Sequence, residues 1–292
     1  MPNALDNMDK FVKIRRILIL ILALNWLVAL SKVVYGLLTK CASMTADGVH
    51  SFGDGMSNII GLVGIWAASK PIDDDHPYGH KKFETFATLG IAVILFLAAI
   101  EIFREAILRV SRPVVPDVTS LSFIIILATM TVNIFVMRYE HRRGQDLSSD
   151  ILICDSLHTK SDILASMAVL VTLVSIKAGF AFLDTIVASV IALLIAKSGI
   201  DILKKSSNVL CDANVLAKSK IANIVNGIPG VKSVHKIRTR GRSDDIHADL
   251  HVIIDADMHV DDAHKLSHKI ESILKEKIPG MTDVIVHLEP SK

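Results

Sequence analysis

The chain has 292 residues, 51% of them hydrophobic, with a mean hydropathy of +0.48 and a net charge of +2. So small a charge argues against a nucleic-acid binder. The three cysteines, Cys41, Cys154 and Cys211, stand apart with no CxxC pair, which argues against a disulfide framework or a thiolate metal site. Soluble domains also reach this apolar fraction, so the class is decided by how the apolar residues are arranged.

They fall into runs at 14–38, 43–69, 84–108, 118–138, 152–177 and 180–203. Each is about the 20 residues that cross a bilayer, and together they predict six transmembrane helices. The first run is too long for a signal-peptide core and no small-residue cleavage site follows it, so it is expected to stay in the mature protein. After Lys204 the composition becomes that of a soluble domain, rich in Lys, Asp and His. The expected division is a six-helix transmembrane domain over 1–208 and a soluble tail domain over 209–292, the latter within the ordinary size range of domains.

Orientation follows from the bias of Lys and Arg toward the cytoplasmic side. The N-terminal flank carries Lys10, Lys13, Arg15 and Arg16, the second connection Lys70, Lys81 and Lys82, and the fourth Arg138, Arg142 and Arg143. Both termini, the even-numbered connections and the tail are therefore expected in the cytoplasm. The protein reads as a multi-pass resident of the bacterial inner (cell) membrane, in contact with its lipid.

Within the second run, ADGVHSFGDG places Asp47, His50 and Asp54 at i, i+3 and i+7, one face of a helix, and Asn58 extends the stripe by a turn. The fifth run repeats the pattern in DSLHTKSD as Asp155, His158 and Asp162. A charged side chain at mid-bilayer costs roughly 2.5–3.5 kcal/mol. Several such groups together rival the whole stability of a protein, about 5–15 kcal/mol. If the two helices pack side by side, His50, Asp54, His158 and Asp162 converge as two imidazoles and two carboxylates. Four N/O donors without sulfur suit a divalent first-row ion, zinc foremost. The competing reading is a set of hydrogen bonds that hold helices two and five together. Asp47 and Asp155, a turn away, read as groups beside the ligands or on an ion path, or as helix caps.

The second connection, KPIDDDHPYGHKKFE, gathers Asp73, His76 and His80 in a loop short enough for them to share one ion, although acidic loops with histidines are often merely solvated. In the tail, 216–227 reads as a helix, SVHKIRTR (233–240) and IHADLHVIID (246–255) as strands, 260–277 as a helix and DVIVHLE (283–289) as a strand. The α-β-β-α-β order predicts a small α+β fold with its helices on one face of a sheet. Seven of the twelve histidines lie in this tail.

With the paired D-x2-H-x3-D helices, the loop DDDHPYGHKKFE and the tail segments VHKIRTR and VIVHLEP, nearly the whole chain resembles the cation diffusion facilitator family, proton-coupled exporters of divalent metals. The resemblance implies a V-shaped homodimer with metallochaperone-like cytoplasmic domains. It implies a transport site at His50, Asp54, His158 and Asp162 and a loop site at Asp73, His76 and His80. It also implies a metal site at the dimer interface of the tail, drawing on His235, His251, His264, His287 and Glu289. Some bacterial relatives have Asp where this chain has His50, and some have Asp where it has Glu289. The long His-rich loop of many eukaryotic relatives is absent between helices four and five.

Metal–proton exchange follows from the ligands. Histidine binds metal only when neutral, and its reference pKa of about 6.5 lies near cytoplasmic pH. A bistable bundle that exposes the site alternately to each side converts that competition into antiport. In the tail, an ion bridging two subunits would stabilise their closed arrangement, and the helical face of His264 and His268 is one place for such a bridge. A membrane-anchored metal sensor or buffer is the alternative, though a sensor has no need of a metal site inside the bilayer. An enzyme is not expected: no HExxH pattern or nucleophile–base pair is present. Divalent metal, zinc first, is thus expected as substrate and regulator, with no organic cofactor.

Overall fold

The computed structural model describes residues 4–38, 51–52, 55–111, 120–177 and 182–291. Two compact units emerge, one over Met8–Ser206 and one over Ser207–Lys292 together with Met1–Asn7.

The larger unit is helical: α1 (Ala4–Leu38), α2 (Met56–Ala68), α3 (Lys82–Ser111), α4 (Ser120–Asp146), α5 (Asp150–Lys177) and α6 (Phe182–Leu210), the last running on into the smaller unit. Helices exceed the apolar runs at the start of α1, at the end of α4 and at the end of α6. Hydropathy marks the stretch that tolerates hydrocarbon, while Arg, Glu, Gln and Lys, good helix formers, carry the helix on into polar surroundings. Among the described residues, three helices contain stretches long and apolar enough to cross a membrane: Asp9–Ser31, Lys82–Arg104 and Ile186–Leu210. In α5 the apolar sequence is interrupted by Asp150, Asp155, Lys160 and Asp162, and the described part of α2 spans 13 residues.

The core of this unit joins Ile14, Leu18 and Ile21 of α1, Ile65 of α2, Ile91 and Leu95 of α3, Ile151 and Leu152 of α5, and Ile191 and Ile195 of α6. Large apolar side chains also point outward, Leu27, Leu97 and Leu193 among them, each more than 60% exposed. An outward apolar surface on helices of this length suits lipid. Small residues permit close helix approach. At Gly64 of α2, an added Cβ would collide with the Cβ of Ala87 on α3, and at Gly61 it would meet Ile151 of α5 at 2.9 Å. Glu84 of α3 is buried and caps α5, accepting hydrogen bonds from Ser149 Oγ at 2.9 Å and from the Ile151 amide at 3.3 Å.

The smaller unit follows the order α7 (Lys218–Asn226), β1 (Ser233–Arg242), β2 (Asp245–Ile254), α8 (Val260–Lys277) and β3 (Met281–Pro290). The sheet order is β1-β2-β3, antiparallel between β1 and β2 and parallel between β2 and β3. Alternation along β2 turns Ile246, Ala248, Leu250, Val252 and Ile254 inward. They meet Ile221 and Val225 of α7 and Leu266, Ile270 and Leu274 of α8, so both helices cover one face. The opposite face takes His247, Asp249 and His251. A bulge in β1 between His235 and Arg238 includes Lys236 at φ +47°.

Candidate metal centres

His158 and Asp162 lie on successive turns of α5 and line one cavity with Asn25 of α1, Ser51, Thr129 and Asn133 of α4, and Thr159. His158 is 4% exposed, and among the described residues neither Nδ1 nor Nε2 has a hydrogen-bond partner. A buried imidazole with both nitrogens unanswered is costly unless something else coordinates it. Asp162 Oδ1 accepts a long hydrogen bond from Ser161 Oγ, 3.4 Å. The expected partners on the second run, His50 and Asp54, lie outside the described residues, as does Asp47.

One turn before His158, Asp155 is buried and accepts a hydrogen bond from Asn58 Nδ2 of α2. Asn58 Oδ1 in turn accepts from Asn25 Nδ2 at 3.1 Å. Asp155 stands on the second turn of α5, so it caps no helix end; it belongs to a polar chain linking α1, α2 and α5. Buried Glu140 of α4 accepts from Thr159 Oγ1 at 3.0 Å. Asn25, Asn133 and Glu140 were not anticipated from the sequence. The available signal was the i, i+7 spacing of Asn133 and Glu140, which puts both on one face of α4.

In the loop, Asp73 Oδ1 accepts the His76 amide at 2.7 Å, and the Gly79 amide donates to the His76 carbonyl at 2.9 Å. These two consecutive turns, the second closed by Gly79 at φ +83°, fold His80 back over Asp73. His76 Nδ1 then lies 3.1 Å from Asp73 Oδ1 and His80 Nε2 3.3 Å from Asp73 Oδ2. Two donor atoms of a tetrahedral zinc site stand about 3.3 Å apart, given bonds near 2.0–2.1 Å. Asp73, His76 and His80 thus offer three ligand atoms at the spacing of one ion. Desolvation works to raise the Asp73 pKa, but hydrogen bonds from the His76 backbone and ring, with the charges of His80 and His76, hold it below the usual aspartate value.

In the tail, strand register builds the second cluster. His235 pairs with His251 across β1 and β2, and His251 with His287 across β2 and β3, so three histidines form one row over the open sheet face. Glu289, two residues after His287 and on the same face, reaches His251 Nδ1 at 2.7 Å and His235 Nε2 at 3.1 Å. His235, His251 and Glu289 present three ligand atoms together, and His287 Nε2 stands 3.9 Å from Glu289. The His251 hydrogen bond, opposed by desolvation and helped by the charges of His235, His251 and Lys236, keeps Glu289 below the ordinary glutamate value. His264, grouped with these residues by the resemblance, stands on α8 with its ring against that of His268.

Comparison with known proteins covers nearly all of the chain. The model of the cation efflux transmembrane domain matches residues 18–211, and that of the cation efflux protein cytoplasmic domain matches 216–291. An uncharacterized transporter of Methanocaldococcus jannaschii is 32% identical over 274 residues, 93% of this chain and 95% of the relative. The manganese efflux system protein MneS of Bacillus subtilis is 29% identical, over 89% of each chain. The cation-efflux pump FieF of Shewanella oneidensis is 27% identical, over 89% of this chain and 88% of the relative.

Proposed function

The chain belongs to the cation diffusion facilitator family, a family of multi-pass membrane transporters, and from that premise we propose that it exports a divalent metal cation from the cytoplasm in exchange for protons. The observation that carries the reading is His158, a buried imidazole with neither nitrogen partnered among the described residues, lining a polar cavity beside Asp162. Together with Asp162, and with His50 and Asp54 from the second run, it would supply two nitrogens and two carboxylates to the transported ion. Export toward the proton-rich side follows from competition, because protons bind the same imidazoles and carboxylates that hold the metal. The polar chain Asn25–Asn58–Asp155 fixes the helices that carry the ligands.

Residues 1–208 would form the transport domain, with six spans in the cell membrane and both termini in the cytoplasm. Residues 209–292 would dimerise with a metallochaperone-like fold and report cytoplasmic metal through His235, His251, His287 and Glu289, while Asp73, His76 and His80 bind a further ion at the cytoplasmic surface. No organic cofactor and no enzymatic step are invoked. Zinc suits the mixed imidazole–carboxylate set best. Manganese is the second reading, favoured by relatives named as manganese efflux proteins in Bacillus subtilis.

Everted vesicles loaded by a pH gradient, with zinc and manganese offered separately and together, test both readings. Metal uptake that collapses with the proton gradient and is lost in Asp162→Ala is expected. Undiminished proton-driven flux in Asp162→Ala would remove the intramembrane site, and binding without flux in the unaltered protein would leave a sensor or buffer.

A further inference from the structure

Two buried carboxyl groups stand beside the candidate transport site with no cation assigned to them. Glu140 of α4 and Asp155 of α5 are 0% and 1% exposed. Thr159 draws them together: its Oγ1 lies within hydrogen-bond distance of Glu140 Oε2, at 3.0 Å, and of the Asp155 carbonyl, at 3.2 Å. Asp155 also accepts from Asn58 Nδ2 and from the Ser57 side chain. Among the described residues no amide or hydroxyl donates to Glu140 Oε1, and the two carboxyls are hydrogen-bonded to each other. An ionised carboxylate only accepts, so a hydrogen bond between two carboxyls requires a proton on one of them. Two bare negative charges in contact, away from water, would be far costlier than one charge and one shared proton.

The surroundings leave that proton as the counter-charge. Among the described residues, the titratable groups that face the pair are His158 and Asp162 of α5. Helices α1 and α2 bring the neutral Asn25, Ser57 and Asn58. Glu84 of α3 is spent on Ser149 and Ile151, at the start of α5, and His141, next to Glu140, turns to Ser156 and Gln145. Lys160 is exposed.

On the transport reading above, we propose that Glu140 and Asp155 hold one proton between them and release it when a divalent cation occupies the site at His158 and Asp162. With that site empty the pair carries a single negative charge. A dication one turn further along α5 adds two positive charges nearby and favours the doubly ionised pair. The O–H bond of the pair then breaks, its electrons stay on the carboxylate oxygen, and the proton passes to water. Return of a proton re-forms the bond, removes one negative charge from beside the ion and so helps to expel it. Coupling by this route needs no protonated imidazole, and it separates the group that carries the proton from the groups that hold the metal.

Infrared difference spectroscopy on the full-length protein in detergent, zinc-bound minus metal-free, reads the pair directly. The expected result is a protonated-carboxyl C=O band in the metal-free protein that disappears on zinc binding and is missing from Glu140→Gln and from Asp155→Asn. In everted vesicles with an acid interior, Glu140→Gln should lose the stimulation of zinc uptake by the pH gradient yet keep the exchange of labelled for unlabelled zinc. Gel filtration and thermal unfolding check the fold, and Asp155→Asn stands in should Glu140→Gln disturb it. A carboxyl band that zinc leaves unchanged, or that persists in both variants, would overturn the proposal, as would full gradient stimulation in Glu140→Gln. Should the unaltered protein bind zinc without moving it, the transport reading falls, while loss of the band on zinc binding still supports the shared proton.

Discussion

His158 provides a test in which stability and function move in opposite directions. Its two ring nitrogens are buried without partners among the described residues. An unsatisfied buried polar group costs about 1–3 kcal/mol. Leucine has a similar bulk and no polar atom, so His158→Leu should raise the stability of the metal-free protein by that order, about 1–3 kcal/mol. For a unit of this size each kcal/mol moves the unfolding midpoint by roughly 2–4 °C. Groups that merely orient a metal ligand are worth 10–100-fold in affinity, so loss of a ligand itself should reduce transport by about 100-fold or more. The assays are thermal unfolding of chelator-treated protein in detergent and zinc uptake by everted vesicles. A variant that unfolds several degrees earlier while still transporting would refute the reasoning, because the imidazole would then be a packing element. A variant both less stable and inactive would show that His158 has a partner on another helix.

Three further outcomes follow from the same geometry. Because the Glu289 pKa is depressed, its ionised form stabilises the folded tail at pH above the unfolded-state value, and that stabilisation is lost as pH falls through the lower folded value; unfolding of the tail followed against pH should show an acid-side loss of stability that Glu289→Gln removes. Gly64→Ala should cost about 1–3 kcal/mol by pushing α2 off α3, and Gly64→Ala combined with Ala87→Gly should recover much of it in a thermal double-mutant cycle. His50→Asp should shift transport from zinc toward manganese or iron(II), since carboxylate oxygen is the harder ligand; an unchanged ranking of ions in vesicle uptake would place selectivity elsewhere.

The tail was legible because its pattern is local. Alternation along IHADLHVIID separates core from open face residue by residue, and the three strands and two helices lie where periodicity puts them. Strand register was not legible, so the row joining His235, His251 and His287 needed the structure. In the helical unit, runs of apolar residues located the helices, but the ends of α4 and α6 extend past them because polar helix formers continue the same hydrogen bonding outside hydrocarbon. Asn25 and Glu140 looked like isolated polar residues in separate segments. Their meaning is tertiary: Asn25 is joined to Asn58 and through it to Asp155, while Glu140 receives Thr159, and no spacing within one helix encodes which neighbour it faces. The loop turn is intermediate, since Asp73 and Gly79 are readable turn residues whereas the return of His80 onto Asp73 depends on two turns in succession.

The three-stranded sheet ends in β1 on one side and β3 on the other, and open strand edges invite foreign strands to add on. On β1 the bulge at Lys236 breaks the ladder, and exposed Lys236 and Arg238 put positive charge along it; β3 ends at Pro290, which has no amide to donate. Both borders are therefore poor templates for amyloid-like stacking. Strand borders of this kind do not readily extend into the sheet of a second copy, so the sheet stays three strands wide.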